Sequence, residues 1–331
     1  MSFDGSKPDL KLAVIGTGTM GRGIAQIAAQ AGIDVRLFDT NAAAIDAARS
    51  SIAEVLGKQV ERGKLDRAAV DATLARLTGV GAIEALADCD IVVEAIIEQL
   101  EPKRALFKSL EAVVRPDAIL ATNTSSLSVT ALAAACQHPE RVAGWHFFNP
   151  VPLMKIVEVI DGAVTAPWVT AALMTVSQRT GHRGVLAKDM PGFIVNHAGR
   201  AFAPESLRIV SEGIADFFTI DRIMKDAAGF RMGPFELMDL IGLDIGHAVM
   251  DSIYHQFYEE PRFRVTPLVA QRVAAGLLGR KTRRGYYDYA SGSAAAAPEP
   301  AAPAPTLRTV WISRTHPAAA ERLETALANT G

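Results

Sequence analysis

The chain has 331 residues, 49% hydrophobic and 21% charged, with a formal net charge of -2, which is room for two globular domains with cores of their own. No basic stripe points to nucleic acid, and two cysteines without C-x-x-C spacing, Cys89 and Cys136, argue against a disulfide framework or a structural zinc, so no metal site is expected. The stretch before Gly16 lacks an apolar signal core and no apolar run is long enough to span a bilayer, so a cytoplasmic protein without a membrane span is expected.

Short apolar runs alternate with helix-length segments from the N-terminus to Met190. Strands are predicted at 11–16 (KLAVIG), 34–39 (DVRLFD), 91–97, 118–122 (AILAT), 141–148 (RVAGWHFF), 155–160 (KIVEVI) and 182–187 (HRGVLA). Val- and Ile-rich strands separated by helices predict an α/β fold with a doubly wound, mainly parallel sheet covered on both faces. Residues 41–77 are too long for one crossover helix and read as a helical hairpin projecting from the sheet. From 191 to 290 the apolar spacing is helical and strand patterns are absent, which predicts a second, mainly α domain. An Ala/Pro-rich linker is expected at 291–307, because the run SGSAAAAPEPAAPAP has no side chains with which to build a core. Residues 308–331 read as a strand entering a helix, either the start of a further domain in a longer protein or a tail that docks elsewhere.

The segment after the first strand carries Gly16, Gly18 and Gly21 as G-x-G-x-x-G, opening a predicted helix with Thr19 and Met20. Gly16 suits a tight turn, Gly18 the approach of backbone to a pyrophosphate, and Gly21 the close packing of helix on strand. Asp39 ends the second strand, at the distance from the glycines where a dinucleotide fold places its ribose-binding carboxylate. A carboxylate there accepts from both ribose hydroxyls and repels a 2'-phosphate, so the expected cofactor is NAD rather than NADP.

His146 stands alone as an ionisable group in the apolar run GWHFFNP, and an isolated histidine of this kind is ordinarily a satisfied core residue. Strand alternation puts Gly144, His146 and Phe148 on one face, with Asn149-Pro150 marking the strand's end. Glu158 shares a face with Ile156 and Ile160, where a carboxylate is either solvated at a sheet edge or paired. The segment VPLM between the two strands allows the second to return beside the first, so that each awkward residue becomes the other's partner. A His–carboxylate pair of this kind fixes the tautomer and supports an imidazolium. Ser125 follows a strand at its carboxyl edge, and the same run, NTSSLSVTAL, also reads as a helix N-cap cluster. Asn196 reads equally as a helical-surface residue, with His197 turned about 100° from it. Lys58 and Arg62, at i,i+4 on the hairpin, share a face that is either solvated or turned to coenzyme A phosphates.

Seven motifs in order, GTGTMGRGIA, VEAIIEQLEPKRALF, TNTSSL, HFFNPVPLMKIVEV, PGFIVN, MGPFELMDLIGLD and GRKTRRGYYDY, closely resemble the L-3-hydroxyacyl-CoA dehydrogenases, including 3-hydroxybutyryl-CoA dehydrogenases, over residues 8–290. The resemblance implies an NAD-binding Rossmann domain (1–190), a helical substrate and dimerisation domain (191–290), and NAD-dependent, reversible oxidation of L-3-hydroxyacyl-CoA to 3-ketoacyl-CoA. That is an activity of fatty-acid β-oxidation, carried by a homodimer. It implies His146 as catalytic base, Glu158 as its orienting partner, and Ser125 and Asn196 as the other catalytic and substrate-binding members. Glu98, Lys103, Asn149 and Lys281 match positions that contact NAD. Two departures, HAGRAFAPES after Asn196 and Arg283 where glycine is common, bear on the pocket rim and leave chain length open. The rival readings are a dehydrogenase of a free hydroxy acid and a catalytically silent NAD-binding structural protein.

Overall fold

Runs of Val, Ile, Leu and Ala cover both faces of a pleated strand with apolar surface, and such strands find their place inside a parallel sheet. In the computed structural model, which describes residues 3–292 and 309–328 (the Arg200 side chain excepted), eight strands form one sheet. In chain order they are β1 (Lys11–Ile15), β2 (Asp34–Phe38), β3 (Leu77–Gly79), β4 (Ile91–Glu94), β5 (Ile119–Thr122), β6 (Val142–Phe147), β7 (Ile156–Asp161) and β8 (Arg183–Lys188). The spatial order is β3-β2-β1-β4-β5-β6-β7-β8, and every pairing is parallel except β6 with β7.

Helices α1 (Thr19–Gln30), α2 (Ala42–Glu61), α3 (Arg67–Ala75), α4 (Leu100–Val113), α5 (Val129–Ala133) and α6 (Pro167–Arg179) connect the strands. One sheet face buries Trp145, Phe147, Val157 and Val159 with α1 and α6, and the other buries Ile160, Val129 and Phe107 with α4 and α5. The glycines of the first turn are sterically required: Gly16 has φ +86°, and a Cβ on Gly21 would stand 1.8 Å from the Gly16 carbonyl oxygen.

The segment 41–77 does form two helices, capped by Asn41 and Asp66, but it does not stand clear of the sheet as expected. Ile45, Ile52 and Leu56 of α2 and Val70 of α3 join the same core cluster as β1 and β2, because the 3–4 spacing of Ile45, Ala48, Ile52 and Leu56 gives α2 an apolar stripe that must be buried. The outer faces of the two helices and the distal turn, with Lys58 and Arg62, stay exposed. Strand β3 was not expected, since Leu-Thr-Gly carries no apolar run and owes its pairing to β2 beside it.

After β8 come α7 (Val195–Ala198), α8 (Ala203–Ser211), α9 (Phe217–Asp226), α10 (Pro234–Ile241), α11 (Leu243–Gln256) and α12 (Pro267–Ala274). Two buried carboxylates knit this region together. Asp221 accepts from the Phe235 and Glu236 amides at the start of α10 and from the Tyr287 hydroxyl. Asp239 accepts from the Tyr286 and Tyr287 amides and the Tyr289 hydroxyl. Burial outweighs these donors and raises both carboxyls above the ordinary range.

Everything up to residue 295 is one unit, and residues 296–331 are a second. The linker expected at 291–307 lies, from residue 293, outside the described residues. In the second unit, α13 (Pro317–Ala328) forms as expected. The expected strand before it does not: among the described residues 309–314 are unpaired, and a strand without a neighbour has nothing to take up its amides and carbonyls.

Arg283 has φ +59°, in the left-handed region that costs a non-glycine residue about 1–2 kcal/mol. Arg283→Gly relieves that strain at some entropic cost in the unfolded chain, and should stabilise the protein by about 0.5–1 kcal/mol. Denaturant unfolding of the two forms measures the gain, and an equal or lower midpoint in the variant would contradict it.

Candidate active site

β1, β4, β5 and β6 run parallel, so their carboxyl ends share one edge, the edge where ligands bind in doubly wound sheets. Gly18 caps α1 without a side-chain bond, leaving the helix's first amides open, and a Cβ built on it would meet nothing within 4 Å. A dipole end with bare amides and clear space suits a pyrophosphate. Thr19 is exposed there, and Met20 packs its side chain partly against the core.

Asp39 follows β2 directly. Its Oδ2 accepts from the amide and hydroxyl of Thr17 (2.8 and 3.0 Å) and its Oδ1 from the Asn41 amide (3.0 Å). Burial opposes ionisation, but these donors outweigh it and hold the carboxyl below its ordinary range. The carboxylate is thereby ionised and aimed beside the glycine turn, with lone pairs left for ribose hydroxyls. These residues fit NAD.

His146 and Glu158 are register partners across the one antiparallel pairing of the sheet. The His146 Nδ1 donates to Glu158 Oε2 at 2.6 Å, which assigns the hydrogen to Nδ1 and leaves Nε2 as the free base position in the neutral ring. Glu158 Oε1 accepts from the amides of Ile194 and Val195, both at 2.9 Å. Burial works against this charge, yet the His146 bond and the Val195 and Ile194 amides hold the carboxyl below the usual glutamate range. Phe148 and Phe193 flank the imidazole, with ring centroids 4.5 and 5.8 Å away. The ring, 5% exposed, is largely shielded from water.

Ser125 and Asn196 also meet: the Asn196 Nδ2 donates to the Ser125 carbonyl at 3.1 Å. The cap of α5 is Ser128, which accepts from Ala131, so Ser125 is not spent on capping. Asn196 lies one residue past Val195, which binds Glu158, so the two pairs adjoin. His197 points elsewhere, with the rings of Phe257 and Phe263 each 5.6 Å away.

The four residues matched to NAD contacts divide. Glu98 accepts from the Thr124 hydroxyl (2.6 Å) and the Ser125 amide (2.8 Å) beside the site, and Asn149 is exposed just past β6. Lys103 is 1% exposed, with its ammonium held between Glu94 and Glu98. Lys281 donates to both oxygens of Asp244 within the helical region; among the described residues it makes no bond to the sheet domain. On the hairpin, Lys58 pairs with Glu54 and Arg62 is exposed. Sequence reasoning missed Phe193, Thr124 and Glu94. Only Glu94 carried a signal, as a carboxylate in the otherwise apolar run IVVE.

Among the described residues no cluster of His, Cys, Asp and Glu is arranged to hold a metal, and no helix is long and apolar enough to cross a membrane.

Residues 11–190 match the model of the 3-hydroxyacyl-CoA dehydrogenase NAD binding domain, and residues 192–289 that of the 3-hydroxyacyl-CoA dehydrogenase C-terminal domain. The chain is 46% identical over 278 residues to a 3-hydroxyadipyl-CoA dehydrogenase of Escherichia coli, covering 84% of this chain but only 58% of that relative's length. It is 42% identical over 280 residues to a probable 3-hydroxybutyryl-CoA dehydrogenase of Deinococcus radiodurans, covering 85% of this chain and all of the relative. The solved (S)-3-hydroxybutyryl-CoA dehydrogenase of Ralstonia eutropha superimposes with a TM-score of 0.82 at 38% identity, over 85% of this chain and 99% of that one. With both domain models matched in order and a full-length relative at this identity, the chain belongs to the 3-hydroxyacyl-CoA dehydrogenase family of NAD-dependent oxidoreductases.

Proposed function

We propose that the chain catalyses the reversible oxidation of an L-3-hydroxyacyl-CoA to the 3-ketoacyl-CoA, with His146 as general base. The observation that carries this reading is the 2.6 Å bond from His146 Nδ1 to a carboxylate that is itself fastened by two backbone amides. NAD, when bound, supplies the acceptor for the hydride that leaves C3. His146 takes the C3 hydroxyl proton on Nε2 and returns it in the reverse direction. Glu158 holds the ring in one tautomer and balances the positive charge that the ring gains. Phe148 and Phe193 keep water from the transfer. Ser125 holds the C3 oxygen, and Asn196 the thioester region.

The same reading takes 1–190 as the cofactor domain and 191–290 as the substrate and dimerisation domain of a cytoplasmic homodimer acting in β-oxidation. Support for self-association comes from large apolar side chains left exposed on α9, α10 and α11, among them Ile223, Leu240, Ile241 and Ile245. Arg62 and Lys58 are read as meeting coenzyme A phosphates, and Glu98 and Asn149 as contacting NAD.

His146→Ala should lower kcat about 100- to 10,000-fold with NADH affinity kept, measured on 3-hydroxybutyryl-CoA and longer thioesters. Near-normal turnover would remove the assignment, and faster turnover of free 3-hydroxybutyrate than of its thioester would replace the substrate class. Removing the charge at Asp39 should cut the preference for NAD over NADP, in kcat/KM, by about tenfold; an unchanged ratio would assign the selectivity elsewhere. Glu158 also carries a pH signature. Its folded-state carboxyl titrates below the unfolded value of about 4.3, so its contribution to stability is present above that value and is lost as pH falls through the folded pKa. Urea midpoints of wild type and Glu158→Gln should therefore converge on going from about pH 6 to about pH 3, and a gap independent of pH would show that ionisation is not what Glu158 contributes.

A further inference from the structure

Between α6 and β8 the chain makes a tight turn at the sheet edge where β6 ends. Gly181, at φ +75°, closes α6: its amide donates to the Gln178 carbonyl at 3.0 Å, and the His182 amide donates to the Ser177 carbonyl at 2.9 Å. His182 therefore sits on the negative end of the α6 dipole. Its side chain is 3% exposed. Nδ1 lies 3.0 Å from the Thr180 carbonyl oxygen, and Nε2 lies 3.0 Å from the Val151 carbonyl oxygen. The Thr180 hydroxyl, 3.4 Å from Nδ1, spends its hydrogen on the Ser177 carbonyl at 2.9 Å. Among the described residues, each polar atom that the ring nitrogens meet is thus an acceptor. A neutral imidazole carries one hydrogen and would turn a bare lone pair toward a carbonyl, whereas an imidazolium satisfies both. No carboxylate among the described residues pairs with the ring. Glu158 on β7 is taken by His146, and the neighbours Arg179 and Arg183 are themselves cations, Arg179 donating to the Lys7 and Gly32 carbonyls.

We propose that His182 is held as the imidazolium and is a positioning residue for the cofactor helix α1, acting through Val151. The inference rests on reading the glycine turn and Asn149 as the seat of NAD. Val151 is the second residue past Asn149 and is 1% exposed. Its side chain sits on α1 at Gly23, where a Cβ would come within 2.8 Å of the Val151 Cβ. The missing side chain at Gly23 lets the turn after β6 press against the helix whose first amides lie open at Gly18. Close contact fixes a distance but not a direction. The bond from His182 Nε2 to the Val151 carbonyl supplies the direction, and so holds the Asn149 turn and α1 at one spacing. A charged donor makes this bond roughly twice as strong as a neutral one, and the α6 terminus offsets the burial of the charge. Phe147, with its ring 5.5 Å from the imidazole and inclined at 81°, covers another side of it. Phe147 and Val151 belong to the core that packs on α1 and α6, so His182 works from that face of the sheet and His146 from the other.

Neutron diffraction from wild-type crystals should show hydrogen on both Nδ1 and Nε2 of His182, and a bare nitrogen would overturn the proposal. His182→Gln removes the cation and should weaken NADH binding about tenfold, with kcat at saturating NAD kept within about threefold. His182→Lys restores a positive donor and should bring NADH affinity back to within about threefold of wild type. Unchanged NADH binding in the glutamine variant, a lysine variant no better than glutamine, or a fall in kcat with NADH binding intact would each overturn the proposal. If the glutamine variant folds poorly, Gly23→Ala tests the other end of the link. Its Cβ is forced against Val151 and should weaken NADH binding about tenfold, and unaltered binding overturns the proposal equally. NADH binds without a thioester, so if wild type turns over no 3-hydroxyacyl-CoA the proposed function falls, and the hydrogen positions and NADH affinities still decide this inference.

Discussion

One carboxylate organises the centre of this molecule. Glu158 is 1% exposed, and an ionised group that deep is untenable unless every side of it is answered. Three donors answer it: His146 from the neighbouring strand, and the amides of Ile194 and Val195 from the first residues beyond the sheet. Two consecutive amides can aim at one oxygen only because the chain turns sharply just before them, with Gly192 at φ +80° and Phe193 at φ +47°. The strained Phe193 ring is one of the two aromatic walls of the imidazole. The interaction that orients the imidazole also fastens the start of the helical region and places one of its aromatic walls.

A second node repeats the device with opposite emphasis. Glu98, fixed by the buried Lys103, binds amides on the loop that carries Ser125. Between the two nodes, Asn196 spans from the helical region to the Ser125 carbonyl. The edge therefore presents an imidazole and a hydroxyl on segments fastened by ionised carboxylates, with an amide bridging them. Such preorganisation lets polar groups act without reorganising during the reaction.

Much of this was legible in the sequence because the relevant signals are local. Short apolar runs located seven of the strands, and the glycine turn with Asp39 stood out as a unit. His146 and Glu158 were each implausible alone and plausible as partners, and the short VPLM connection brought them opposite. What escaped was long-range. Lys103 matched a cofactor position by resemblance alone, and nothing near it in the sequence says that Glu94 and Glu98 will enclose it. Leu77–Gly79 has no strand pattern of its own and pairs because β2 is there. The α2 stripe was misjudged because its burial partners lie in β2, β3 and α1. The last two family motifs, MGPFELMDLIGLD and GRKTRRGYYDY, largely serve the fold: Asp239 of one binds the Tyr286 and Tyr287 amides of the other.

The proposed roles of His146 and Ser125 meet at a single oxygen position. A crystal structure of the complex with NAD and acetoacetyl-CoA measures it directly. The C3 oxygen should lie within hydrogen-bonding distance, about 2.6–3.2 Å, of both His146 Nε2 and Ser125 Oγ, with the His146–Glu158 bond intact. A C3 oxygen held by other groups, or an imidazole turned away from Glu158 in that complex, would contradict the account.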